Sequence, residues 1–325
     1  MPHERMKCAL ILNPRAAVFG SSRMVELVRR FSKLGPVIVT SHRDDLAAQL
    51  RTLADQGIEW LALCGGDGTF HVAVAEAMHI WGERLPRLVL LHGGTMGIVC
   101  RELGLSDPFA MLDAMEAATA QGVELATTTL PTIDVGGRVC FNFGAGMLVG
   151  FARRATETRG LGPGAVWSFA AHLAVSTLID GPFSRDVLEP WRGGVAFDDE
   201  PPVVREVSAL YASPLDQLWF FRGYSKCRTG PGQFRVMTLT GEPMEMLKQA
   251  PAFALGTHAP GASVRPARTM TITAREPFPF VADGELYQGE AGSMTITSGP
   301  GLSVAIPRLA GRERRWSVVR RALAK

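Results

Sequence analysis

The chain has 325 residues and a mass of 35.0 kDa, more than one core usually holds and suited to two domains of roughly 100–200 residues each. Apolar residues make up 46% and charged residues 20%, which excludes wholesale disorder. A formal net charge of +3 is too small to argue for a nucleic-acid partner, and no run reaches the roughly 18 apolar residues that span a bilayer.

The first 125 or so residues alternate strand-like and helix-like patterns. The apolar run Cys8–Leu12, too short for the core of a signal peptide, ends at Asn13-Pro14. Met24, Leu27, Val28 and Phe31 recur at helical spacing, and Gly35-Pro36 stops that helix. Val37–Thr40 is the next strand, and Leu46, Leu50 and Leu53 mark a helix that Gly57 closes. Leu61–Cys64 and Leu88–Leu91 are further strands, and Asp107-Pro108 opens a helix with a cap residue followed by proline. Strands alternating with helices predict a parallel sheet covered on both faces. Its ligand site is expected at the carboxyl ends of the strands.

From about residue 127 short strand-like runs dominate: Arg138–Phe143, Leu218–Phe221, Gln233–Thr238, Met270–Thr273, Met294–Thr297 and Leu302–Ile306. They predict a second, mostly antiparallel β domain, interrupted by helices over Pro163–Ile179 and Pro243–Gln249. Glu189–Glu206, with Gly193-Gly194, Asp198-Asp199 and three prolines, reads as an irregular excursion. The expected division is 1–126, 127–306 and a basic tail, 307–325, packing back on the first domain. Five widely spaced cysteines (Cys8, Cys64, Cys100, Cys140, Cys227) without a Cys-x-x-Cys suit a reducing, cytoplasmic compartment and exclude a zinc-type cluster.

One motif carries chemistry. Gly65-Gly66-Asp67-Gly68-Thr69 lies between a strand and a helix whose Phe70, Ala73, Val74 and Ala77 fit one face. Glycines there let backbone approach a phosphate, and the helix start offers unpaired N–H groups and a positive dipole end. The threonine hydroxyl can donate to a phosphate oxygen. Asp67 cannot meet phosphate without a cation, so its role is metal-linked or structural.

The loop resembles the Gly-Gly-Asp-Gly-Thr signature of the diacylglycerol kinase-like superfamily, which includes bacterial lipid kinases, sphingosine kinases and ceramide kinases. Other segments match in order: Asn13-Pro14, Thr40, Gly94-Thr95, Phe141–Gly146, and Asp283-Gly284-Glu285. The resemblance implies an N-terminal Rossmann-like α/β domain and a C-terminal β-sandwich, with ATP and Mg²⁺ used in transfer of the γ-phosphoryl group to a lipid hydroxyl. It implies that Asn13, Pro14, Arg15, Thr40, Gly65, Gly66, Asp67, Gly68, Thr69, His71, Gly94 and Thr95 surround the nucleotide. Asp283 and Glu285 become the candidates for the general base, the family pointing more to Glu285, although Asp-Gly alone also makes a plain hairpin turn.

The sequence departs from that pattern. Relatives carry Asn-Glu where His71-Val72 stand, Asn-Asp at Gly97-Ile98 and an acid at Leu148. An Asp-rich metal loop of some bacterial members corresponds to Lys226–Gly232, which has no acid, so no protein-held metal is expected. Two readings follow: an active divergent kinase, with His71, His92 or Arg15 supplying replacement contacts, or a lipid- or nucleotide-binding pseudokinase. For His71 the plain alternative is a half-exposed histidine with no chemical role. NAD kinase shares the loop type, but the Asp-Gly-Glu element suits lipid kinases better. Expected partners are a neutral lipid (diacylglycerol, ceramide or a sphingoid base), an anionic membrane surface met transiently by the Arg-rich tail with Trp316, and a second copy in a homodimer. The apolar helix with Trp167 and Phe169 is either an acyl-chain wall or core.

Overall fold

A computed structural model describes residues 6–14, 21–40, 42–94, 97–157, 163–216, 227–255 and 261–309. The first domain grows from the apolar runs: strands β1 (Cys8–Leu12), β2 (Val37–Val39), β3 (Trp60–Gly65) and β4 (Arg87–His92) pair in parallel in the order β2-β1-β3-β4. Every residue of β1 and β3 is buried, as expected of strands covered on both faces. Helices α1 (Ser21–Phe31), α2 (Arg43–Asp55), α3 (Asp67–Trp81), α4 (Ile98–Glu102) and α5 (Pro108–Gln121) connect them, and β5 (Leu125–Leu130) follows. Helix α5 starts where Asp107 Oδ1 accepts from Phe109 N at 3.1 Å and ends at left-handed Gly122. Arg30 of α1 ties it down, donating to Glu116 at 2.7 and 2.9 Å and to Asp113 at 2.6 Å.

The second domain is a sandwich of two antiparallel sheets. One contains β6 (Ile133–Val135), β7 (Val139–Cys140), β9 (Trp191–Phe197), β10 (Val203–Val207), β14 (Thr269–Ala274) and β17 (Gly292–Ser298), ordered β10-β9-β14-β17-β6-β7. The other contains β8 (Phe143–Gly146), β11 (Ala209–Ser213), β12 (Phe234–Leu239), β13 (Ala262–Ala267), β15 (Phe278–Ala282) and β16 (Glu285–Gly289), ordered β13-β12-β11-β8-β15-β16. Ile133, Val195, Ile272 and Ile296 of the first meet Phe143, Leu210, Val236 and Phe280 of the second in one core. Helices α6 (Met147–Glu157), α7 (Pro163–Leu178), α8 (Pro182–Val187) and α9 (Pro243–Leu255) complete the domain, and Ala209 and Leu239 on the outer face of the second sheet pack with Val187 and Met246. The last strand, β18 (Leu302–Leu309), returns to the first sheet between β4 and β5, parallel to β4 and antiparallel to β5.

The structure thus confirms the α/β plus β-sandwich class and redraws several local features. The first sheet extends to Leu130 and takes back Leu302–Leu309. The apolar alternation of Leu302–Ile306 fits either sheet, and only three-dimensional pairing decides between them. Glu189–Glu206 is no irregular excursion: β9 and β10 form an antiparallel hairpin, turned at left-handed Asp198, whose Oδ1 accepts from Arg268 N and Thr269 N at 2.7 and 3.0 Å. Arg138–Phe143 splits into β7 and β8, because the backbone N–H of Phe141 is given to a carboxylate from the turn between β15 and β16. Helix α6 went unread because Gly150 interrupts its apolar run. A Cβ there would sit 2.6 Å from the Val187 carbonyl oxygen, so glycine permits α6 to press on α8. The expected strand Leu218–Phe221, Lys226, and the tail beyond Leu309 with Trp316 lie outside the described residues.

Candidate functional site

The parallel strands leave their carboxyl ends side by side. Asn13 N donates to Cys64 O at 3.1 Å, Thr40 N to Leu12 O at 3.0 Å and Gly93 N to Gly65 O at 2.9 Å, so the ladder runs into the loops that follow β1, β2, β3 and β4. The chain leaves β1 for β2 on one side, while β3 lies on the other, which makes this edge a switch point of the sheet. The loop Gly65–Thr69 then enters α3 with Gly66 at the N-cap and no capping side chain. The first N–H groups of a helix have no intrahelical acceptor. Two close approaches require glycine: a Cβ on Gly94 would sit 2.4 Å from Gly66 Cα, and one on Gly65 would sit 2.5 Å from Thr69 Cβ. Asn13 Nδ2 donates to Thr69 Oγ1 at 3.2 Å, joining the loop after β1 to the start of α3.

Asp67 is turned toward the start of α4. Its Oδ2 accepts from Ile98 N at 3.0 Å and its Oδ1 from Val99 N at 3.1 Å. The carboxylate therefore caps α4, whose own N-cap is Gly97 with no side chain to offer. Burial raises its pKa above the ordinary value, and the two N–H donors pull it partly back. Asp67 is a structural tie between the phosphate loop and the loop after β4. The departure at Gly97 has a local cause: the residue is left-handed, and a Cβ would lie 2.2 Å from the His92 ring. Burial lowers the His92 pKa.

Asp283 and His71 are also turned inward, against expectation. Asp283, in the β15–β16 turn at φ 49°, has a side chain with no solvent exposure. Its carboxylate accepts from Phe141 N at 2.9 Å and from Asn142 Nδ2 at 2.9 Å, while Tyr211 Oη donates to Asn142 Oδ1. His71 is 1% exposed rather than half exposed. Its Nδ1 lies 2.9 Å from Asp283 Oδ2, off the axis of a hydrogen bond, and its Nε2 lies 3.1 Å from Tyr287 Oη. The ring faces the second domain because the β15–β16 turn packs on α3.

What remains faces a cleft of about 400 Å³ between the domains, lined by Asn13, Thr40, Gly66, Gly68, Thr69 and Glu285. Glu285 is exposed, and its Oε1 lies 3.7 Å from where a Cβ on Gly68 would stand. Thr40 Oγ1 donates to His42 O at 3.1 Å. Five lining residues were not among the expected site residues: His42, at the N-cap of α2, Ile11, Leu46 and Ala73, which read as strand or helix core, and Val72, which read only as a departure from the family pattern. Only His42 gave a signal, as a polar residue between a strand end and a helix start. Pro14 is exposed beside Asn13; Arg15 and Thr95 lie outside the described residues.

The open helix start and the touching glycines fit a nucleotide's phosphate chain. Among the described residues no three His, Cys, Asp or Glu side chains converge on a metal-sized site.

A glycine-rich loop at the strand ends of a parallel sheet, faced by a carboxylate from a β-sandwich, defines a candidate phosphate site on an α/β and β fold. Residues 7–128 match the family model of the diacylglycerol kinase catalytic domain. Similarity in fold to solved structures extends over 92% of the chain. A diacylglycerol kinase from Bacillus anthracis str. Sterne is similar with a TM-score of 0.62 at 14% identity, over 92% of this chain and 96% of that one. Two further proteins of that organism, provisionally assigned as diacylglycerol kinases, are similar with TM-scores of 0.64 and 0.68 at 15% and 16% identity. Each match covers 92% of this chain, and 96% and 97% of theirs. No curated protein sequence matches the chain significantly.

Proposed function

We propose that the protein is an ATP-dependent lipid kinase that transfers the γ-phosphoryl group to the hydroxyl of a neutral lipid such as diacylglycerol, ceramide or a sphingoid base. The observation that carries this reading is the meeting of Glu285 with the phosphate loop at one cleft. The start of α3, with Asn13 and Thr69, holds the phosphates through backbone and side-chain donors. Mg²⁺ arriving with the nucleotide supplies charge neutralisation on the phosphate oxygens. Glu285 takes the hydroxyl proton as the lipid oxygen bonds to phosphorus and the bond to ADP breaks. Asp283 is the weaker base candidate, because its oxygens are already engaged by Phe141 and Asn142. Among the described residues no helix is long and apolar enough to cross a membrane, and we place the encounter with lipid at an anionic membrane surface.

The test is transfer of radiolabelled γ-phosphate from Mg·ATP to diacylglycerol, ceramide, sphingosine and monoacylglycerol in mixed micelles, with NAD as an aqueous control. Labelled lipid is expected from the wild type, with kcat lowered about 10²- to 10⁴-fold in Glu285→Gln. Nucleotide binding without transfer to any lipid would favour the second reading, a binding protein without turnover. One observation supports that alternative: apolar Val72 stands in the cleft wall where the family pattern has an acid.

A further inference from the structure

We propose that His71 is a positioning residue for Glu285, gripping the residues two before and two after that carboxylate and so fixing it over the phosphate loop. The inference rests on the reading of Glu285 as the base. His71 sits on α3 two residues after Thr69, on the element that would hold the phosphates. Its Nδ1 meets Asp283 at 2.9 Å and its Nε2 meets Tyr287 at 3.1 Å. Side chains alternate along a strand, so Glu285 and Tyr287 project from the same face of β16. The imidazole thus bridges both sides of the segment that carries Glu285.

Both gripped residues are themselves anchored. Asp283 is held by Phe141 and Asn142. The Tyr287 ring stacks on Phe280 with centroids 5.5 Å apart, and the Arg138 guanidinium lies 4.2 Å from its centroid. Glu285 is exposed at the start of β16, next to a turn with two left-handed residues, Asp283 and Gly284. A left-handed non-glycine residue persists where its surroundings over-determine it, and His71 is the surrounding group that comes from the phosphate-loop helix. A displacement of about 1 Å at a reacting group lowers rate on the order of 10²-fold, so this contact bears on kcat rather than on nucleotide binding.

The test measures kcat and KM for Mg·ATP, with diacylglycerol, ceramide and sphingosine each offered in mixed micelles. The variants are His71→Ala, His71→Asn, Tyr287→Phe, Glu285→Gln and the His71→Ala/Glu285→Gln double variant. His71→Ala is expected to lower kcat on the order of 10- to 100-fold with KM for Mg·ATP changed less than about twofold. His71→Asn, which keeps a polar side chain beside Asp283, recovers part of that loss. On the Glu285→Gln background the His71→Ala change adds less than about threefold, because groups acting through one another are not additive. A full multiplicative loss in the double variant, a loss confined to KM, or unchanged kcat in His71→Ala and Tyr287→Phe overturns the role of His71 and leaves Glu285 in place. Wild-type kcat in Glu285→Gln, or no transfer by the wild type to any of the three lipids, removes the base reading instead. If His71→Ala does not fold, Tyr287→Phe carries the test: its kcat loss must shrink on the Glu285→Gln background, and an unchanged kcat overturns the proposal.

Discussion

His92 illustrates how single residues explain the departures from the family pattern. Its ring fills the space beside Gly97, and its burial disfavours the imidazolium. Arg101 pushes the same way and Asp67 opposes it. The folded chain therefore binds this proton less tightly than the unfolded chain, whose histidine titrates near 6.5. Stability from the neutral ring is present above that value and is lost as pH falls through it. The melting temperature is expected to drop between about pH 7.5 and about pH 5.5, and to drop less in His92→Gln, as differential scanning fluorimetry would read. The residue types of the cleft were legible because Asn13, Gly66, Gly68 and Thr69 are contiguous with strand ends. The inward turn of Asp67, His71 and Asp283 was not. Each is satisfied by backbone or side-chain groups distant in sequence, such as Val99 for Asp67 and Phe141 for Asp283.

At the scale of elements, β12 contains a buried charge. Arg235, 4% exposed, donates to Cys227 O at 2.5 Å, Leu215 O at 3.1 Å and Asp216 Oδ1 at 2.6 Å. The guanidinium thus gathers both ends of the segment between β11 and β12, where the sequence offers no acid cluster. Arg235→Met is expected to leave those carbonyls without a donor and to destabilise the fold by about 2–3 kcal/mol, measured by urea unfolding. A loss below about 0.5 kcal/mol would show that water replaces it. The strands β1, β3 and β4 were readable as short apolar runs, and the start of α5 as a cap residue followed by proline. The β9–β10 hairpin and α6 were not, because glycines that permit close packing look like breaks when the packing partner is unseen.

The whole molecule is closed by β18. Leu302, Val304 and Ala305 are buried in the first sheet, so the chain crosses between domains twice, at 130–133 and at 298–302. Two crossings hold the β15–β16 turn against α3 far more firmly than one linker would. Truncation after residue 301 removes the strand between β4 and β5 and exposes their edges. The product is expected to be insoluble or to lack a cooperative melt, checked by soluble yield and circular dichroism. A well-folded truncated chain would show that the first sheet closes without it.

The sequence by itself determined the α/β and β classes, the phosphate loop and its place at the strand ends. Those follow from local period and from glycine's steric freedom, which act within a few residues. Only the tertiary structure decided which carboxylate faces the cleft, what Asp67 and His71 do, and which sheet receives the last strand. Each of those depends on pairing between segments tens to hundreds of residues apart, such as Phe141 with Asp283 and Leu302 with Leu130. No local pattern encodes that pairing.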